Sequence, residues 1–290
     1  MKLIKALILC CLFFFNIKPI DMYICTCADS YFFPRLLNFI GSLHRVNFNE
    51  IKEIAVFNLG LTQKQMDQLN KIEKISVHDI ELTHPDLLNY FDAGRPDKRK
   101  TRGWYAWKPV AIKQALDMFP YILYADAGMT FLRPLDQLFK HIIQNDYFFV
   151  NCPNTIKWMA TQHVVETFDL KSPERKWLMG KDVKGLSGGF MGLTQKLYDN
   201  FVFPMYKLAH NIENFVDDGT TPNGFGTGRH DQVLFSIHAK LLNLTIRDWF
   251  NTHLNINGKK VKFRTRGGIV KFWPKGNDQI KFKKYIQYKK

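Results

Sequence analysis

Cysteine is scarce in this chain: five in 290 residues, at positions 10, 11, 25, 27 and 152. Two of them fall in an apolar leader, Cys25 and Cys27 alternate on one predicted strand, and no Cys-x-x-Cys pair exists. A disulfide framework, a zinc site and a thioredoxin-type site are therefore unsupported. The N-terminal apolar run, 6–17 with Asn16 interrupting it, is too short to span a bilayer comfortably. No internal repeat, low-complexity tract or clear linker divides the chain, and it carries no RNP, zinc-finger or helix-turn-helix signature. Repeat arrays and the standard nucleic-acid modules are excluded.

What is present suffices for a sizeable core. Hydrophobic residues make up 46%, with 25 Phe, 11 Tyr and 6 Trp, which argues against a disordered chain. Lys and Arg outnumber Asp and Glu by 41 to 26, a formal charge of +15. Such an excess favours anionic partners: nucleotide diphosphates, phospholipid surfaces or acidic glycans. Part of it lies at the C-terminus, where Lys281, Lys283, Lys284, Lys289 and Lys290 stand among Phe, Ile and Tyr. A solvated tail and a membrane-surface patch are both open readings there. At the other terminus a short basic stretch precedes the apolar run, giving 1–20 the proportions of a secretory signal peptide or short membrane anchor. Its alternative is a buried N-terminal strand. An exported or membrane-anchored location follows from the first reading, and 21–290 is read as one domain.

Along that domain, strands are predicted at 22–28, 51–57, 75–80, 121–125 and 148–150. Helices are predicted at 31–43, 62–72, 110–118, 133–143 and 231–242. Strands alternating with helices imply parallel βαβ units and a doubly wound α/β sheet. Ligands of such sheets bind at the carboxyl ends of the strands. The basic stretch 92–102 and the Gly-rich stretch 217–228 read as loops.

The most informative segment is Tyr124-Ala125-Asp126-Ala127-Gly128. An apolar strand ending in a lone carboxylate places it at the carboxyl edge of the sheet, and small neighbours allow a bulky ligand close approach. An Asp in this position is also a common turn-former. Upstream stand Gly103-Trp104-Tyr105-Ala106-Trp107-Lys108-Pro109, and downstream Arg133-Pro134-Leu135. Taken together, this run resembles the core of the GT-A type nucleotide-diphospho-sugar glycosyltransferases. In many of these the strand ends in Asp-x-Asp, which holds Mn²⁺ or Mg²⁺ and the donor diphosphate. On that resemblance Asp126 takes the first Asp and Gly128 stands where the second would be.

Three further segments are similar to the family: 22–29, ending in Asp29 and facing the donor's base and ribose; 57–62; and Arg229-His230-Asp231-Gln232 at a helix start. The resemblance spans roughly 22–240. It implies a mostly parallel GT-A sheet in a single domain with a small acceptor-side lobe, and transfer of a sugar from a nucleotide-diphosphate donor such as a UDP-sugar. The acceptor would be a glycan, a lipid or a protein. Asp231 and His230 are the candidate catalytic residues. Asp231, near the positive end of a helix, should stay ionised and serve as base or acceptor anchor; a helix cap paired with Arg229 is the alternative.

Donor contacts are expected from Asp29, Trp107, Lys108, Asp126 and Gly128, with Lys108 on the diphosphate as a point charge. Gly188 and Gly189 would run under the sugar, or mark a bulge in a core strand. Trp104 and Tyr105 would stack on a base or sugar, or belong to the core. Metal ligation is assigned to Asp126 with His253 as a late ligand, and Arg264 and Arg266 are further phosphate candidates. Asn243-Leu244-Thr245 matches a glycosylation sequon, but its apolar neighbours suggest a buried strand. Two readings compete with catalysis: a GT-A-like protein that binds a nucleotide or glycan without turnover, and a membrane-surface interaction protein using the fold as a scaffold.

Overall fold

The computed structural model describes residues 20–92, 94, 100–248, 251–256, 258–263, 269–272 and 280–290. Outside them lie nearly all of the leader and both Arg264 and Arg266.

The chain opens with β1 (Met22–Ala28), buried almost throughout, then α1 (Phe33–Asn47), β2 (Ile51–Asn58), α2 (Gln63–Asn70) and β3 (Ile75–Asp79). α2 starts on a capping box: Thr62 accepts from the Gln65 amide, and the Gln65 side chain accepts from Thr62 N–H. A small pair, β4 (Tyr90–Phe91) and β5 (Thr101–Arg102), leads into α3 (Trp107–Met118) and β6 (Tyr121–Ala125). Next come β7 (Met129–Phe131), α4 (Asp136–Asn145), β8 (Tyr147–Thr155), α5 (Ile156–Met159), α6 (Gln162–Thr167) and β9 (Lys184–Thr194). The last elements are α7 (Phe203–Leu208), α8 (His230–Leu241), β10 (His253–Ile256), β11 (Lys259–Lys262) and β12 (Val270–Phe272).

The central sheet has six strands in the order β3-β2-β1-β6-β9-β8. β1, β2, β3 and β6 are parallel, and β9 runs antiparallel to both its neighbours. The fold is therefore the α/β, mostly parallel one expected. The Gly-rich stretch after 184 is one long antiparallel strand, β9, set between β6 and β8. Its composition conceals a strand because glycine carries no β-propensity. Apolar residues on the two faces of the sheet form two separate cores, one under α3 and α8, the other under α1 and α4.

From β1 the chain builds outward through β2 and β3, then returns to the other side of β1 as β6. The order of strands thus reverses between β1 and β6, and a crevice opens at their carboxyl ends. Asp29 directly follows β1 and Asp126 directly follows β6.

Residues 280–290 have their backbone tied to α1 and to the segment before β3, while four of their five lysines are exposed. One sequence expectation needs correction. Asn243 lies in no buried strand: it is exposed, with φ 52°, in the turn that ends α8.

Candidate active site

Tyr124 and Asp126 are two apart on β6 and its end, so their side chains share a face. The Tyr124 hydroxyl donates to Asp126 Oδ1 at 2.9 Å. Asp126 is also the first residue of a turn, its carbonyl accepting from Met129 N–H at 3.0 Å. Both readings of this residue hold at once: the turn shapes the strand end and leaves the carboxylate at the crevice.

Lys108, in the first turn of α3, reaches into the same place. Its ammonium lies 2.9 Å from Asp231 Oδ2 and 3.5 Å from Asp126 Oδ1, and its side chain is 5% exposed. A buried ammonium needs paired carboxylates. Burial by itself would lower its pKa, but Asp126 and Asp231 outweigh that and hold it above the ordinary lysine value. The sequence reading put Lys108 on a diphosphate; in the fold its charge lies behind Asp126, engaged by two carboxylates. Asp231 does not pair with Arg229. Burial pushes its pKa up to about 6, with Lys108 opposing the rise. It remains mostly ionised at neutral pH, held by a lysine as well as by its place at a helix start.

The two glycines of β9 make room for these carboxylates. A Cβ on Gly189 would sit 2.4 Å from Asp126 Oδ2, and one on Gly188 would sit 2.8 Å from Asp231 Oδ2. Asp126 N–H also donates to Gly189 O at 3.0 Å, continuing the β6–β9 pairing past the strand end. Both readings of these glycines hold: the β8–β9 register breaks between Leu186 and Met191, where Gly188 and Gly189 lie, and side chains from β6 and α8 approach them closely.

A cleft of about 520 Å³, measured out to its open mouth, lies against this cluster. Of the expected donor contacts Asp29, Trp107, Asp126 and Gly128 line it, joined by Lys100 and Arg102, while Lys108, Gly188 and Gly189 do not. Asp29 is nearly buried. Its Oδ1 accepts from Phe32 N–H at 3.0 Å, and its Oδ2 accepts from the Tyr90 hydroxyl at 3.1 Å. Arg102 Nε lies 3.8 Å from the same oxygen, and the guanidinium stacks 4.0 Å from the centre of the Tyr90 ring. The sequence reading missed Tyr90, Lys100, Arg102 and the role of Tyr124. The basic loop at 92–102 was visible, but only strand order shows that its last residues fold over the end of β1.

The segment that delivers Trp107 and Lys108 is wound tightly. Gly103, Trp104 and Tyr105 have φ of 49°, 49° and 66°. Glycine is required at the first, where a Cβ would meet Leu87 O at 1.9 Å. At Trp104 and Tyr105 this backbone costs on the order of 1–3 kcal/mol each. Packing holds it: the Trp104 ring stacks on Phe91 and lies 5.3 Å from His230. Trp104 is thus a core residue. Tyr105, half-buried, also packs on His230, whose Nδ1 lies 2.8 Å from Phe215 O. His230 braces the turn beneath α3, while Asp231 beside it faces Lys108. His253 lies on the exposed β10–β11 hairpin with Nδ1 2.7 Å from Asn251 O, and it does not line the cleft. Among the described residues no three His, Cys, Asp or Glu side chains converge as a metal site.

No protein-family model matches the chain, and no curated protein matches it in sequence. Solved structures do. Core-mannan synthase A from Aspergillus fumigatus, in its Mn/GDP form, superposes with a TM-score of 0.56 at 12% identity, over 92% of this chain and 83% of that one. The Saccharomyces cerevisiae mannosyltransferase Ktr4p in complex with GDP gives 0.48 at 12% identity, over 83% and 72% of the two chains. Mouse xyloside xylosyltransferase 1 in its apo form gives 0.47 at 15% identity, over 79% and 86%. Identities this low speak to the fold, and the first superposition carries that argument. The chain has the fold of the GT-A type glycosyltransferases.

Proposed function

We propose that this protein transfers a sugar from a nucleotide-diphosphate-sugar donor to a hydroxyl group of a glycan, lipid or protein acceptor. The observation that carries the reading is the Asp126–Lys108–Asp231 cluster beside an open cleft at the switch point of a GT-A sheet. Asp29, fixed by Tyr90 and Arg102, takes the nucleoside end of the cleft, and Lys100 meets the diphosphate. Asp126 lies against the transferring sugar. Its orientation is set by Tyr124 and Lys108, so little reorganisation is needed when the donor arrives.

Asp231 is the candidate base. A carboxylate whose pKa lies near 6 is better matched to accepting a hydroxyl proton at neutral pH than an ordinary aspartate. Lys108 is the positioning group: it holds a donor-side carboxylate and an acceptor-side carboxylate at one fixed separation.

The Mn/GDP form of the Aspergillus enzyme and the family resemblance raise a Mn²⁺ or Mg²⁺ ion for this chain as well. The described residues do not fit a resident one. Asp126 Oδ1 is engaged by Tyr124 and Lys108, Gly128 brings no carboxylate, and His253 belongs to another surface. Fixed positive charge beneath Asp126 is supplied by Lys108 instead.

Thermal melting with a panel of nucleotides and nucleotide sugars, in Mn²⁺ or in EDTA, tests this. The reading expects one nucleotide diphosphate to raise the midpoint by a similar amount in both conditions. A shift seen only with Mn²⁺ would return Asp126 to the role of metal ligand. Binding without transfer to any acceptor, and without donor hydrolysis, would favour a binding protein.

A further inference from the structure

The residues 280–290 contain five lysines and no acidic residue. They form a fixed surface. Phe282 is buried against α1, its N–H donating to Asn38 Oδ1 at 2.9 Å and its carbonyl lying against Gly41. Gln287 N–H donates to His44 Nδ1 at 3.0 Å, and Gln287 O accepts from Glu73 N–H at 2.9 Å. Tyr288 bridges to Ile72, and Lys289 N–H donates to Lys71 O at 2.8 Å. The Arg45 guanidinium stacks on Phe282 and lies 5.9 Å from the centre of the Tyr285 ring.

These anchors fix the direction in which the surface faces. α1 runs back from the carboxyl to the amino ends of the strands, and the tail docks on its last half. Ile72 and Glu73 lie just before β3, and Glu50, just before β2, accepts from Met22 N–H. The tail therefore covers the amino end of the sheet, opposite the cleft at Asp126. The described chain also enters the fold at this end, through Ile20.

Lys281, Lys284, Lys289 and Lys290 are exposed, and among the described residues none of the five tail lysines forms an ion pair. Between them Ile280, Tyr285 and Tyr288 are exposed by 51%, 39% and 51%. Lys71, Lys74 and Arg45 add cations at its border; Asp21, Glu50, Glu73 and Asp136 are carboxylates at the same end, and Glu50 and Asp136 both accept from the Asn47 side chain.

We infer that this face docks on an anionic lipid surface, with the donor cleft turned away from the membrane. Exposed lysines interleaved with tyrosine and isoleucine suit the headgroup layer, where aromatic rings and aliphatic stems sit at the boundary and ammonium groups meet phosphates. A nucleic acid would use the lysines but has less use for the exposed Ile280. The proposal does not depend on the sugar-transfer reading.

The test is sedimentation of the full chain with vesicles of phosphatidylcholine alone, or with one third phosphatidylserine, at low and high salt. The expectation is tighter binding to the phosphatidylserine vesicles, weakened by salt. Replacing the five tail lysines by Gln should weaken it at least ~10-fold, since each lysine near such a surface contributes about a fivefold factor. Phosphatidylcholine binding should not change. A control replaces Lys157, Lys171, Lys176, Lys181 and Lys184 by Gln, the same loss of charge elsewhere, and should keep the affinity. A Tyr285→Ser, Tyr288→Ser variant, which keeps every charge, should weaken binding severalfold. Equal binding to both vesicles, an unaffected tail variant, or equal loss in the control would each overturn the proposal. So would single-stranded RNA that binds through the tail lysines while the vesicles do not.

Discussion

At the residue scale, the arrangement turns on one buried ammonium between two carboxylates. Breaking a buried pair from one side is far costlier than never having had it, because the partner is left charged and unsolvated. Lys108→Met should therefore destabilise the fold by about 3–5 kcal/mol, read from urea unfolding. Adding Asp231→Asn to that variant should recover more than half of the loss. Equal instability in the single and double variants would show that Lys108 acts through packing alone.

Asp231 makes a second prediction. Its pKa is pushed up to about 6 in the fold and is about 3.9 in the unfolded chain. Between those values the folded state binds the extra proton, so this group's contribution to stability rises as pH falls from 7 to 4. Asp231→Asn removes the titration. The parent protein should gain on the variant as the pH of the urea melts is lowered, and a constant difference would contradict the placement.

Lys108 also shows where residue-type reasoning stopped. Its chemistry was legible as a cation near the donor strand. Its burial was not, because only the packing of α3 and α8 on one face of β6 and β9 decides what surrounds it.

At the element scale, β1, β2, β3 and β6 were legible within a residue or so, since each is a short apolar run bounded by turn residues. β8 was read too short and β9 was read as a Gly-rich segment. The glycines of β9 are there for its neighbours, and a neighbour in space leaves no periodicity in the strand itself. α1 was read as 31–43, yet it runs to Asn47 because Ser42, His44 and Asn47 are spent on buried contacts with β7, the tail and α4. Polar residues with buried partners read from sequence as a helix ending early.

Gly41, in the middle of α1, decides between two opposed effects. Alanine is the better helix former by about 1 kcal/mol, but its Cβ would meet the Phe282 carbonyl at 2.0 Å. Backbone cannot yield as a side-chain tip can, so the clash wins. Gly41→Ala should release the tail and speed trypsin cleavage at its lysines severalfold while α1 itself stays intact. Unchanged cleavage would mean that the tail tolerates a shifted seat.

At the scale of the whole molecule, the described residues place cations at both ends of the sheet. The carboxyl end of the sheet holds the carboxylate cluster, with Lys100 and Arg102 at the cleft. The amino end carries the lysine tail. A donor from solution would reach the first while the second rests on a surface. The α/β class and the edge that carries the candidate site were legible in the sequence, because strand-end carboxylates and βαβ spacing are local features. The two-ended distribution of charge was not, because it depends on where the last eleven residues dock.

On the proposed function, the cleft between Asp29 and Asp126 binds a nucleotide-diphosphate donor. The most direct test is the melting temperature of the full chain with each nucleotide-diphosphate sugar, measured in parallel on Asp29→Asn and Asp126→Asn. At a hundredfold excess over the dissociation constant, binding adds about 2.7 kcal/mol of stability, a shift of several degrees. Such a shift is expected for one nucleotide sugar in the parent protein, with a much reduced shift in both variants. No shift with any nucleotide, or a shift that both variants retain in full, would contradict it.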